Sequence, residues 1–184
     1  LGVDLSAPCT DRFETPAAVA VVTDQLEMLK LLKELGVDMA AVCNQDGDEE
    51  TLAAYAAFSG NVEVLRFLHE SGVDLAAECN DVHTTPAALA ADFGLADVLR
   101  LLHECGVDLS KGCNRDGYTP AGIAAPEGRV DALRALHECG YDLTAPCSPS
   151  MRTPAEMACL AGEVQSAVAL KQLGVNFCHA DLSW

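Results

Sequence analysis

One short string, repeated at a fixed interval, constrains this chain more than any other feature. Gly-Val-Asp-Leu, with small changes, occupies residues 2–5, 36–39, 72–75, 106–109, 140–143 and 174–177. Its glycines are separated by 34, 36, 34, 34 and 34 residues. A constant period in this range signals stacked supersecondary units, none of which can bury its apolar face without a neighbour. The expectation is a single array over residues 1–184, with units starting near 1, 35, 71, 105 and 139 and a partial unit from 173.

Each unit carries the same internal punctuation. A polar stretch ends in Thr-Pro at Thr15-Pro16, Thr85-Pro86, Thr119-Pro120 and Thr153-Pro154. Threonine suits an N-cap, and proline suits the first helical position, where its missing N–H is not needed. An alanine-rich segment follows and predicts a short helix with room for close neighbours. A break then comes at Gly60, Gly94, Gly128 and Gly162, with Asp24 in the first unit. The next segment is again helical in pattern: over 95–104, Leu95, Val98, Leu99 and Leu102 recur at i, i+3, i+4 and i+7 and form one stripe. Gly106 then supplies the usual helix stop. The predicted fold is an all-α repeat solenoid of five helix pairs, with half a unit following.

The stretch Asp116-Gly117-Tyr118-Thr119-Pro120, continuing through Ala124-Ala125, Gly128, Leu133, Leu136 and Gly140, resembles the ankyrin repeat. The resemblance recurs in register along essentially the whole chain. It implies a stack of helix–turn–helix units joined by β-hairpin-like turns. The chain departs from the family pattern where Leu-His would follow Thr-Pro; Ala-Ala, Ala-Gly or Ala-Glu stands there instead. The second unit has a longer turn, 44–50, and Thr51-Leu52 in place of Thr-Pro. The resemblance also implies a non-enzymatic module that binds a partner protein through a concave face made of turn tips and first helices. Carried over by position, that face holds Arg12, Phe13, Phe58, Asp92, Phe93, Asp116, Tyr118, Met151 and Arg152. These are the columns where the units differ most, and large aromatics on an exposed face are typical interface anchors.

Charge narrows the class of partner. Lys plus Arg is 11 against 28 Asp plus Glu, a formal charge of −17. A phosphate backbone needs clustered cations, so DNA and RNA are disfavoured, as is an anionic membrane surface. The excess suggests a protein partner with a basic patch and an encounter steered by charge. The densest apolar stretch, 16–22, is far too short to span a bilayer. No signal peptide is visible, and because residue 1 is Leu, the numbering is expected to cover part of a longer or processed product.

Nine cysteines call for an account. Cys9, Cys43, Cys79, Cys113 and Cys147 fall in one column. Neighbouring units lie roughly 10 Å apart, one helix diameter, whereas a disulfide needs Cα atoms within about 7 Å. The column therefore reads as a ladder of separate thiols in packed turns. Cys105 and Cys139 share a second column, Cys159 replaces an alanine, and Cys178 comes near the end. The spacing of Cys105/Cys113 and of Cys139/Cys147 leaves a bridge within a repeat as the minor alternative. The ladder favours a reducing intracellular compartment, cytoplasm or organelle interior. It also sustains an alternative function, a thiol-based redox or metal-responsive protein, although no Cys-x-x-Cys pair exists. His69, His103 and His137 repeat too, at helix ends where a partial positive charge suits the dipole. The acidic run 46–50 lacks calcium-loop spacing. A column of identical aspartates marks turn structure rather than catalysis, and no metal, cofactor or catalytic group is assigned.

The two ends matter. Repeat stacks usually finish with a polar outer face. Here the first unit is expected to expose Val19, Val21, Met28, Leu31 and Leu32. The last runs out in Phe177, Leu182 and Trp184, with Val168 and Ala169 replacing the arginine-bearing rim. At least one end is expected to be covered by another chain or by residues outside this sequence. That favours an accessory subunit of a larger assembly over a free adaptor.

Overall fold

Threonine opens the first helix of a pair in at least four units. The hydroxyls of Thr15, Thr51, Thr119 and Thr153 accept the N–H of the residue three positions on, satisfying a donor that the first turn would leave unpaired. Thr51 does so without a following proline. In the computed structural model, which describes residues 5–7, 9, 15–41, 50–78 and 83–177, the described helices are α1 (Pro16–Val22), α2 (Leu26–Glu34), α3 (Leu52–Phe58), α4 (Val62–Glu70), α5 (Pro86–Phe93), α6 (Ala96–Glu104), α7 (Pro120–Ala124), α8 (Val130–Glu138), α9 (Pro154–Ala161) and α10 (Val164–Gln172). Odd and even helices alternate as short, alanine-rich and longer, amphipathic partners. No strand occurs among the described residues, and the turns before α7 and α9 are closed by backbone hydrogen bonds such as Cys113 N–H to Tyr118 O and Cys147 N–H to Arg152 O.

The residue that breaks the chain between the helices of a pair takes positive φ. Gly162 does so at 75°, and Asp24 at 55° despite its side chain. Aspartate is among the few residues that tolerate this region. Its carboxylate also accepts a 2.6 Å hydrogen bond from Asn61 Nδ2 at the equivalent corner of the next repeat.

The chain forms two compact units, Leu1–Pro86 and Ala87–Trp184. In the first, α1 packs on α2 and α3, and α3 on α4. Leu29, Leu52, Leu65 and Leu68 are fully buried there. Lys33 ties α2 to α4: its Nζ donates to Ser71 Oγ at 2.9 Å and sits 5.5 Å from the centre of the Phe67 ring. In the second unit, α8 packs on both α6 and α10, and α9 packs on α7 and α10. Ala121, Ala124, Ala125, Ala155 and Ala158 are buried, so these short helices contribute little bulk and allow close approach.

Several expectations are corrected here. Leu95 is the N-cap residue of α6 and only half-buried, while Leu101, outside the predicted stripe, is buried beside Val98, Leu99 and Leu102. The buried arc of an even helix is wider than one stripe because two neighbours flank it. Val21 and Leu32, expected on the open end of the first pair, are buried within that unit, and Val19 is half-buried; Met28 and Leu31 are exposed as anticipated. Ala169 is buried, whereas Val168 is exposed. Phe177 is half-buried; Leu182 and Trp184 lie outside the described residues.

Candidate protein-interaction face

Two turns of the second unit show how the expected contact residues are held. Cys113 N–H donates to Tyr118 O at 2.8 Å, and its thiol donates to the same oxygen at 3.3 Å. The six residues 113–118 are thus closed end to end by one cysteine. Inside the clamp Asn114 accepts twice: its carbonyl from Gly117 N–H at 2.9 Å, its side chain from Tyr118 N–H at 2.9 Å. The next repeat copies this with different residues. Cys147 N–H and thiol both donate to Arg152 O, at 2.8 and 3.2 Å, and Ser148 takes the place of Asn114. Met151 stands where Gly117 stands, at a φ of 60°, with its side chain exposed. The two turns lie side by side, since a Cβ on Gly117 would come within 3.3 Å of Pro149. Asp116, Tyr118, Met151 and Arg152 are therefore neighbours on one row, with Asp116, Met151 and Arg152 exposed and Tyr118 half-buried.

Phe93 and Asp92 end α5, a helix of eight residues, about 12 Å long. Phe93 is exposed, and the Asp92 carbonyl accepts from Arg129 Nε at 2.6 Å, fixing that corner against the start of α8. Turn tips precede the odd helices and these residues follow one, so the predicted contact set forms two rows and not one cluster. Phe58, exposed at the end of α3 in the first unit, occupies the second kind of row. Neither Phe58 nor Phe93 folds down into the alanine-rich packing. Arg12 and Phe13 lie outside the described residues.

A family profile described as ankyrin repeats (many copies) matches residues 17–69. Residues 17–69 carry ankyrin repeats. The matched stretch covers α1 to α4, the part whose turn departs furthest from the family pattern, and the later units repeat the same caps and breaks. No curated protein matches the chain. Ankyrin repeats are in general protein-interaction modules.

The ankyrin turns also explain the cysteine ladder. Cys9, Cys105, Cys113, Cys139, Cys147 and Cys159 are thiols in the structure, not disulfides; Cys43, Cys79 and Cys178 lie outside the described residues. Burial pushes the Cys147 thiol up to about 12. Cys139 beside a cavity of about 310 Å³ is also raised by burial, against the opposing influence of Arg100. A reactive cysteine needs the opposite shift, so these sites give the redox alternative no support. Among the described residues no group of three or more His, Cys, Asp or Glu is placed to hold a metal, and no helix is long and apolar enough to cross a membrane. Asp108 and Asp142 are held below the usual carboxylate range, chiefly by the hydroxyls of Ser110 and Thr144, at exposed turns.

Sequence reasoning missed the pairing of Arg100. Arg100, which belongs to the arginine-bearing rim of the even helices, bridges two repeats: its guanidinium meets Glu138 Oε2 at 2.8–2.9 Å and Asp97 Oδ1 at 2.8 Å. The signal was present, because Arg100 and Glu138 differ by one period plus one helical turn.

Proposed function

We propose that this chain is a non-enzymatic scaffold that binds a partner protein through its turn tips and the C-terminal ends of its odd helices. The contact residues are Phe58, Asp92, Phe93, Asp116, Tyr118, Met151 and Arg152, together with Arg12 and Phe13, which hold the turn position of the first repeat in the sequence. The observation that carries this is the exposure of Phe58, Phe93 and Met151, each large and apolar, on columns that vary between repeats while the threonine before each odd helix does not. Exposed apolar anchors on a rigid frame supply affinity at low ordering cost. The charge of −17 favours a partner with a basic patch and an association that weakens with salt. In the cell the chain acts in a reducing compartment, as an accessory subunit of a larger assembly.

Phe93→Ser together with Tyr118→Ser tests the reading. Capture from native material followed by mass spectrometry identifies the partner, and titration measures the effect. The double variant should weaken binding by at least about 2 kcal/mol and leave the unfolding midpoint nearly unchanged. Undiminished binding, or a collapse in stability, would remove these rows as the site.

A further inference from the structure

Each odd helix carries, about one turn before its end, an apolar or aromatic side chain larger than alanine that the packing only half covers. In the second unit these are Leu89, Ile123 and Met157, all half-buried. Three or four residues on come Phe93, Pro126 and Leu160, of which Phe93 and Leu160 are exposed and Pro126 is half-buried. The residues between them include Ala90, Ala91, Ala124, Ala125 and Ala158, all buried, so each odd helix turns one apolar edge outward. Val19 with Val22, and Tyr55 with Phe58, repeat the pattern in the first unit.

The corners that follow these edges stack directly in the second unit. A Cβ on Gly94 would lie 3.3 Å from Arg129 Cδ, and one on Gly128 would lie 2.8 Å from Glu163 Oε2. Arg129 also donates to the Asp92 carbonyl. The apolar edges of α5, α7 and α9 are therefore successive steps of one row, roughly 10 Å apart, one helix diameter. An ionic side chain stands at each junction between steps: Arg129 at the first and Glu163 at the second.

The spacing of the steps selects the conformation that can lie along them. A polyproline II segment has three residues per turn and rises about 3.1 Å per residue, so its i and i+3 side chains share a face about 9 Å apart. Same-face side chains of a β-strand fall about 6.6 or 13 Å apart. An α-helix advances about 10 Å in seven residues, but its i+3 and i+4 side chains lie on the same face between the anchors. There this row offers Arg129 and Glu163 and no apolar step. Charge narrows the sequence as well, because the carboxylates of Asp92, Glu127 and Glu163 flank the steps against the one guanidinium of Arg129.

We propose that this row takes an extended, polyproline II-like segment of the partner protein, with an apolar side chain at every third position and Lys or Arg between. The proposal rests on the reading of the odd-helix ends as the contact surface and names what lies on them. Three apolar side chains seat on the steps made by Leu89 with Phe93, Ile123 with Pro126, and Met157 with Leu160. The basic residues between them meet Glu127 and Glu163. A segment that is already extended gives up little freedom on seating, and its exposed backbone needs no partner strand.

Fluorescence anisotropy on the full chain with labelled synthetic peptides tests the proposal. The probe is three tandem copies of Leu-Pro-Lys. One control keeps that composition with leucine at every second position; the other is an alanine-rich helical peptide of equal charge with leucine at every seventh. The probe should bind at least about tenfold more tightly than either control, and its affinity should fall with added salt. Phe93→Ser and Leu160→Ser, both at exposed positions, should each weaken it at least about fivefold while thermal melts stay unchanged. A control that binds as tightly as the probe, or a probe that does not bind, overturns the proposal. If Phe93→Ser with Tyr118→Ser loses the native partner while the probe fails to bind, the contact surface stands and the extended occupant falls. If the probe binds with the stated preference while that double variant keeps its native partner, the reading of the surface as that partner's site falls instead.

Discussion

Replacing Gly122 by alanine should destabilise the protein, although helix propensity argues the reverse. Gly122 lies inside α7, where alanine would ordinarily gain about 1 kcal/mol. The equivalent residues Ala18, Ala54 and Ala88 are buried alanines that fit. At Gly122, however, a Cβ would sit 2.2 Å from the carbonyl oxygen of Cys147, 3.1 Å from its carbon and 3.3 Å from its Cβ. The obstacle is backbone and has no rotamer to change. That carbonyl accepts from Thr119 N–H at 3.0 Å, so moving it breaks the bond that joins one turn to the next. A lost buried hydrogen bond costs about 1–3 kcal/mol, and overpacking costs about 1–3 kcal/mol more. Set against the propensity gain, the net loss is about 1–5 kcal/mol. Urea unfolding followed by circular dichroism reads it directly. Gly106→Ala serves as comparison, since a Cβ there meets nothing within 4 Å and suffers only from a φ of 82°. A Gly122→Ala midpoint at or above wild type would refute the close approach.

Leu102→Ala, at a fully buried position in α6, should cost about 2–5 kcal/mol, whereas Arg100→Ala, whose side chain is 40% exposed and whose partners are more so, should cost under about 1 kcal/mol; chemical denaturation that ranks them the other way would invert the facing of α6. Ser166→Ala should raise stability by about 1 kcal/mol, because the buried Ser166 hydroxyl has no hydrogen-bond partner, and a lowered melting temperature would show that it has one. Burial holds the Cys147 thiol and the Tyr141 hydroxyl protonated beyond their ordinary values of 9.0 and 10.0. A folded state that keeps protons the unfolded chain releases loses stability as pH climbs from about 9 towards about 12; the decline should be shallower in Tyr141→Phe and Cys147→Ala, and equal slopes in all three proteins would contradict it. Iodoacetamide near neutral pH should label exposed Cys9 well before Cys147, and equal rates by mass spectrometry would mean the turn clamp opens readily.

The period, the threonine caps and the positive-φ breaks were legible because each is a local requirement written into every repeat. Even Thr51, deprived of its proline, kept its role. What the sequence hid were relations between repeats. Arg100 looked like a rim residue because its partner Glu138 lies 38 positions away. Leu101 and Val21 escaped the stripe because a helix with neighbours on two sides buries more than one face. The contact residues came out in two rows since an odd helix separates a turn tip from the following helix end. At Gly122 helix propensity alone favours alanine, and only the position of the next turn makes glycine a requirement.

The cysteine clamp has a consequence for how freely the tips can change. Backbone and thiol together close each turn from its first residue to its sixth, and the residue after the cysteine braces it from within. The side chains at 115, 116 and 118, and at 149 and 152, make none of the hydrogen bonds of that closure, whereas Ser150 meets the Ser148 hydroxyl at 3.1 Å. Each turn is a socket with fixed walls and exchangeable contents, as Arg115, Asp116 and Tyr118 in one repeat and Pro149 and Arg152 in the next already illustrate. Randomising those five positions while keeping Cys113, Asn114, Cys147, Ser148 and Ser150 gives a combinatorial surface whose members share one backbone, so that selection acts on recognition and not on folding.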